Sequence, residues 1–167
     1  MAKNRFSESH GILGLTIDGN WNAGFDTDSI DMSKYNHACV IIWGDSSVAT
    51  DDTIGVYGGA SAGTKTALCR FDYRYGSAAV GSATSDVFGT VASVAALASL
   101  TMTAANIAAG KLLLIEFDAA DLNPAGTQYR YATLQIGTGT GSGGTMSAVA
   151  ILSEPRYMEA IMDTAQA

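Results

Sequence analysis

Apolar positions in this chain come in short runs with a period of two, separated by breaks rich in Gly, Ser, Thr and Asp, and no stretch carries the pattern of a long amphipathic helix. The cleanest alternation is Ala67–Tyr75, with Cys69, Phe71, Tyr73 and Tyr75 on one face and Arg70, Asp72 and Arg74 on the other. It predicts a strand with one face in a core and the other toward water or a partner. Gly11–Gly19, Ala38–Trp43, Thr53–Tyr57 and Lys111–Asp118 read as further strands, Ala38–Trp43 being a continuous apolar run of the buried kind. The run VASVAALASL fits either helix or strand, and Val87, Phe88, Val91 and the SLTMT that follows tilt Asp86–Met102 toward two short strands with a turn between. Two runs near the end, Tyr129–Ile136 and Thr145–Leu152, flank the Gly/Ser/Thr stretch Gly137–Gly144 and predict a β-hairpin with a long flexible tip. Tyr129, Tyr131 and Thr133 alternate with Arg130, Ala132 and Leu134 in the first run, and Met146, Ala148 and Ala150 with Ser147, Val149 and Ile151 in the second. Both faces are largely apolar, which places these strands inside a sandwich or under a neighbouring subunit.

The breaks complete the outline. Residues 1–10 are a polar arm, disordered alone or laid on a neighbour, and 158–167 a polar tail, leaving 11–157 as one domain. In Asn20–Asn36 the large apolar Trp21 and Phe25 anchor a loop, and Asp28 or Ser29 is placed to cap a short helical turn through Tyr35. Gly76–Ser85 is a small, exposed loop, Asn123–Pro124 and Gly126 mark a turn, and Pro155 turns the chain so that Arg156 and Tyr157 stand together. Eight or nine short strands without βαβ rhythm predict an all-β fold, an antiparallel β-sandwich of jelly-roll-like topology with short helical turns in its loops. An immunoglobulin-like sandwich is the alternative, weakened because the cysteines and tryptophans lack the Cys…Trp…Cys order.

Composition narrows the function. Only 15% of the 167 residues are charged, against about 25% in an ordinary soluble domain, so part of the surface is expected to be covered in a working assembly. A net charge of −7 with scattered basic residues argues against a nucleic-acid partner. Cys39 and Cys69 sit in the apolar runs ACVIIW and ALCRF and read as buried free thiols suited to a reducing cytosol. MAKNRFSESHG has no apolar signal core, and no run reaches the roughly 18 residues of a membrane span, so neither export by a cleaved signal peptide nor a membrane partner is expected.

Catalytic and ligand signatures fail on spacing. With Asp26 as the first position of a calcium loop, the sixth is Asp31 rather than glycine and the twelfth His37 rather than glutamate, so no metal is predicted. GTGTGSGG lacks the lysine and the following helix of a phosphate loop, so no cofactor is predicted. His10 lies in the arm and His37 opens a strand, neither in a nucleophile motif, and Glu116 and Asp118 at i, i+2 read as a solvated strand face. No catalytic residue is assigned. What remains is contact chemistry: Trp21, Phe25, Tyr35, Arg130, Arg156 and Tyr157 are of the types that anchor interfaces, the alternative for each being a place in the core.

The early Trp-containing loop, the segments SIDMSKYNHACVIIWGD and KLLLIEFDAADL, and the closing YRYATLQI…SAVAILSEPRY together resemble small structural proteins encoded beside the major capsid gene in tailed-phage genomes. The likeness covers most of residues 20 to 157, its most specific portions being DMSKY and LSEPRY. It implies a head decoration, or cement, protein: a jelly-roll-like sandwich that binds the outer capsid as a homotrimer, with itself and the major capsid protein as partners, the virion as its location and no enzymatic residues. The other reading is a jelly-roll carbohydrate- or receptor-binding virion protein of head or tail that uses aromatic platforms such as Trp21 or Tyr75.

Overall fold

A computed structural model describes residues 6–21, 23–44, 51–79, 87–103, 106, 111–137 and 144–156. A four-residue helical turn, α1 (Phe6–Ser9), is followed by twelve strands among these residues: β1 (Gly11–Asn20), β2 (Phe25–Asp26), β3 (Ile30–Asp31), β4 (Tyr35–Gly44), β5 (Asp52–Gly59), β6 (Ala67–Leu68), β7 (Phe71–Ala79), β8 (Ala92–Val94), β9 (Leu100–Met102), β10 (Lys111–Asp118), β11 (Tyr131–Ile136) and β12 (Thr145–Pro155). They form two antiparallel sheets. The first has the order β1-β12-β4-β10-β7-β8; the second runs β2-β11-β5-β6, with β3 on β11 and β9 on β5.

The pairings are nested in sequence. β1 pairs with β12, β2 and β3 with β11, β4 with β10, and β5 with β6, as in one long hairpin folded at its middle. Rolling that hairpin up adds the contacts β12·β4 and β11·β5, which join its arms into two sheets. This is the jelly-roll arrangement, with β7 and β8 extending the first sheet.

The core lies between the sheets because alternate residues of each strand point inward. Leu13 and Leu15 of β1, Val40 and Ile42 of β4, Ile115 of β10 and Leu152 of β12 enter from one side, and Ile54 and Val56 of β5 with Leu134 and Ile136 of β11 from the other. Phe71 and Cys69 are fully buried with them. Tyr73 and Tyr75 pack against this cluster, so the alternation read in Ala67–Tyr75 holds.

Four expectations are corrected. Gly76–Ser85 is not all loop, since β7 runs on through Ala79, while residues 80–85 lie outside the described part of the chain. Ala67–Tyr75 is not one strand: β6 belongs to the second sheet and β7 to the first, the chain crossing between them at Cys69 and Arg70. β11 and β12 are not a hairpin; they lie in opposite sheets, each an inner strand, and Gly137–Gly144 bridges the sheets instead of capping a ladder. Its residues 138–143 lie outside the described part of the chain. The segment from Asp28 to Tyr35 carries no helical turn but β3 and a tight turn, because Ile30 is drawn into the core beside β11. The short helical turns fall instead at the 3-10 segments Ala119–Asp121 and Pro124–Gly126. The two strands expected in Asp86–Met102 are present as β8 and β9, one in each sheet.

Candidate interaction surface

In a lone sandwich the outer face of each sheet meets water and is expected to be polar. The outer face of the first sheet departs from this. Register places Ile12, Ile151, Cys39 and Glu116 in one cross-strand row, and Gly14, Val149, Ile41, Leu114 and Arg74 in the next; beyond them Ser147 faces Trp43. Their sequence neighbours Leu13, Ala148, Val40, Ile42 and Ile115 are buried between the sheets, so these rows point outward. Ile12 is 55% exposed and Trp43 40% exposed. Three adjacent strands, β1, β12 and β4, thus carry Ile, Val and Trp at exposed or half-buried outward positions where a monomer would carry Lys, Glu or Thr, while on β10 Leu114 is buried and Glu116 is charged.

Polar pairs bound this face on the β7 and β10 side. The Arg74 guanidinium lies 3.3 Å from Glu116, Arg70 reaches Asp72 at 2.9 Å and Asp121 at 3.1 Å, and His37 Nδ1 lies 2.8 Å from Asp118. Burial, then the charge of Glu116, push the Cys39 thiol up to about 11, and burial first does the same to Cys69, also to about 11. Both remain thiols at neutral pH, so neither is an activated nucleophile.

A groove of about 680 Å³ opens at one end of the sandwich, with Met32, Tyr129, Arg130, Asp118, Glu154 and Arg156 among its lining residues. Arg130 is anchored there: its Nε donates to Asp31 Oδ1 at 2.9 Å and its Nη2 to Oδ2, while its guanidinium lies 5.0 Å from the centre of the Tyr131 ring. Burial raises the Asp31 carboxyl, but hydrogen bonds from Arg130 and Ser33 and the charge of Arg130 outweigh it and hold the group at about 2. Glu154 adopts a left-handed φ of 55°, a costly conformation for a non-glycine residue that precedes a proline. The Arg156 backbone N–H donates to the Lys34 carbonyl at 2.9 Å, fixing the chain's exit beside the groove.

The residues expected to make contacts therefore separate. Arg130 and Arg156 come together in the groove. Trp21 and Tyr35 do not join them: both are buried in the core and are corrected to packing residues. Phe25 lies half-buried against that core, at the opposite end of β11 from Arg130. Tyr157 lies outside the described residues. The sheet face was signalled by the two-sided apolar character of Thr145–Leu152, where AVAIL, like ACVIIW on β4, is apolar at successive positions.

One row invites a chemical reading. Ser153, His37 and Asp118 are cross-strand neighbours on β12, β4 and β10. His37 bonds Asp118, but Ser153 has no hydrogen bond to His37 among the described residues, and the Asp118 side chain is 61% exposed. A hydroxyl nucleophile needs its base within hydrogen-bond reach and an oriented, water-excluding setting, which an open sheet face does not supply. His10 stacks on Phe6 at 4.0 Å, remote in sequence from any such row. Among the described residues no group of three or more His, Cys, Asp or Glu could hold a metal ion, and no helix is long and apolar enough to cross a membrane. No protein-family model, curated protein or solved structure matches the chain.

Proposed function

We propose that the protein is a non-catalytic structural subunit of a tailed-phage virion, specifically a decoration protein that lies on the outer head as a homotrimer and bridges neighbouring capsomers. The observation that carries this reading is the apolar outer face of the first sheet, which a solitary sandwich has no reason to keep. The low charged fraction supports it, since a surface buried against neighbours does not need solubilising charge. So does the likeness of DMSKY and LSEPRY to capsid-associated proteins. The work of such a subunit is mechanical: burying apolar surface across capsomer boundaries stabilises the shell without chemistry.

Mass photometry of the purified chain, followed by sedimentation with expanded, undecorated heads, tests the proposal. A trimer that co-sediments with heads is expected; a strict monomer with no affinity for capsids overturns it. The sugar- or receptor-binding alternative loses Trp21 as a platform, because that ring is fully buried.

A further inference from the structure

The groove at the end of the sandwich holds polar groups that the fold has fixed in place without using them up. Gln128 Nε2 donates to the Ala119 carbonyl at 2.7 Å and to the Tyr129 carbonyl at 3.3 Å, which orients the amide and leaves Oε1 to accept. Arg130 commits Nε and Nη2 to Asp31, and its Nη1 has no protein partner among the described residues. Asp118 meets His37 Nδ1 through Oδ1 at 2.8 Å, which leaves Oδ2. Glu154 lines the same groove at a φ of 55° that a glycine would adopt freely. It is held there from both sides: Ser153 pairs with His37, Pro155 with Tyr35, and the Arg156 N–H donates to the Lys34 carbonyl. Backbone strain kept in this way gathers at ligand sites. The groove's volume of about 680 Å³ also lies within the ~300–1,000 Å³ range of small-ligand sites.

We propose that this groove binds an uncharged oligosaccharide. Charge argues against an ionic ligand: Asp118 and Glu154 stand beside Arg130 and Arg156, and Asp31 already offsets Arg130, so neither an anion nor a cation meets a field of one sign. A sugar needs no such field. Each of its hydroxyls donates and accepts at once, which suits a wall where donors and acceptors are mixed. Asn36, Gln128, Arg130, Glu154 and Arg156 all end in planar, forked groups, each able to pair with two neighbouring hydroxyls of one ring. Tyr129, half-buried in the same wall, supplies an aromatic surface for the C–H side of a pyranose. A peptide fits less well, because an extended peptide pairs with a strand edge and drops alternate side chains into pockets. Here the walls are the Met32–Ser33 turn, the 3-10 segment Ala119–Asp121 and residues 128–130 ahead of β11, and strands β4, β10 and β12 reach the groove only near their ends. None of the lining residues belongs to the apolar rows of the first sheet, so the inference stands apart from the assembly reading.

The full chain is screened on an array of neutral oligosaccharides printed beside sialylated and uronate-bearing ones, and the strongest neutral ligand is carried into titration calorimetry. Binding of a neutral glycan is expected, with an affinity that salt leaves unchanged. Asn36→Ala and Arg156→Ala, both at exposed positions, are each expected to weaken it by about 3- to 10-fold with an unchanged circular-dichroism spectrum. Glu154→Gln replaces either variant that proves unfolded. Trp43→Ala, on the apolar face, is expected to leave the affinity as it was, which separates the groove from that face. An array without neutral signal overturns the inference, as does binding confined to acidic glycans or neutral binding that survives the groove variants. Oligomeric state and adhesion to heads are measured separately, so a trimer that coats heads and binds no sugar overturns this inference alone.

Discussion

The two tryptophans of this chain have opposite fates that their neighbours in sequence do not announce. Trp21 follows a strand, in the polar context GNWNAG, yet is fully buried, its Nε1 without a partner among the described residues; Trp43 ends the most apolar run and is 40% exposed. Local hydropathy predicts the reverse, because burial is decided by which face of the sheet a position occupies. Trp21→Ala is expected to cost about 3–5 kcal/mol of stability by leaving a large cavity. Trp43→Ala is expected to change stability by less than about 1 kcal/mol while reducing self-association, a contrast that urea denaturation beside mass photometry reads directly. Asp31 was legible only as an acidic loop residue, since its partner Arg130 lies 99 positions away. Its carboxyl falls from 3.8 to about 2 on folding, so the stability it confers is complete above pH 4 and is lost as pH drops through 2. With Arg130 52% exposed, solvent screening keeps this contribution near ~1 kcal/mol. Asp31→Asn is expected to flatten the acid limb of a stability–pH curve between pH 4 and 2; an unchanged limb would assign that region to other carboxylates.

Among the elements, the period-two pattern located strands well and paired them poorly. β1, β4, β5, β10, β11 and β12 fall where alternation or apolar runs placed them, because that pattern reports burial. It carries no information on which strand lies alongside, so β11 and β12, adjacent in sequence and both apolar, read as a hairpin although the roll separates them into different sheets. The break at Cys69 and Arg70 was invisible for a related reason: side chains keep alternating while the backbone changes sheets. Glycine carries one element-scale consequence. On β5, an inner strand of the second sheet, a Cβ at Gly59 would stand 2.2 Å from the Thr64 carbonyl oxygen. Backbone cannot yield as a flexible side chain does, so Gly59→Ala is expected to destabilise the fold by about 1–3 kcal/mol, seen as a lowered Tm. An unshifted Tm would show that the 60–66 loop moves aside freely.

For the whole molecule, charge and shape act against each other. A net charge of −7 favours dispersal, while the apolar outer face of the first sheet favours contact. Repulsion between exposed charges fades as the Debye length shrinks from about 10 Å at 0.1 M salt to about 3 Å at 1 M, whereas apolar contact does not. Self-association is therefore expected to strengthen as salt rises from low to high concentration, measured by sedimentation velocity; an assembly that dissociates with salt would point to ion pairs as its glue. The nested order of pairing reaches beyond equilibrium to biosynthesis. Among the described residues β12 is the last strand to be translated, yet it lies between β1 and β4 in the middle of the first sheet. Until residue 155 has cleared the ribosome, β1 has no neighbour in the sheet and β4 has only β10, so closing the sheet must wait on contacts of the longest sequence separation. The nascent chain thus cannot display the finished outer face of the first sheet, and recruitment through that face waits until β12 is in place.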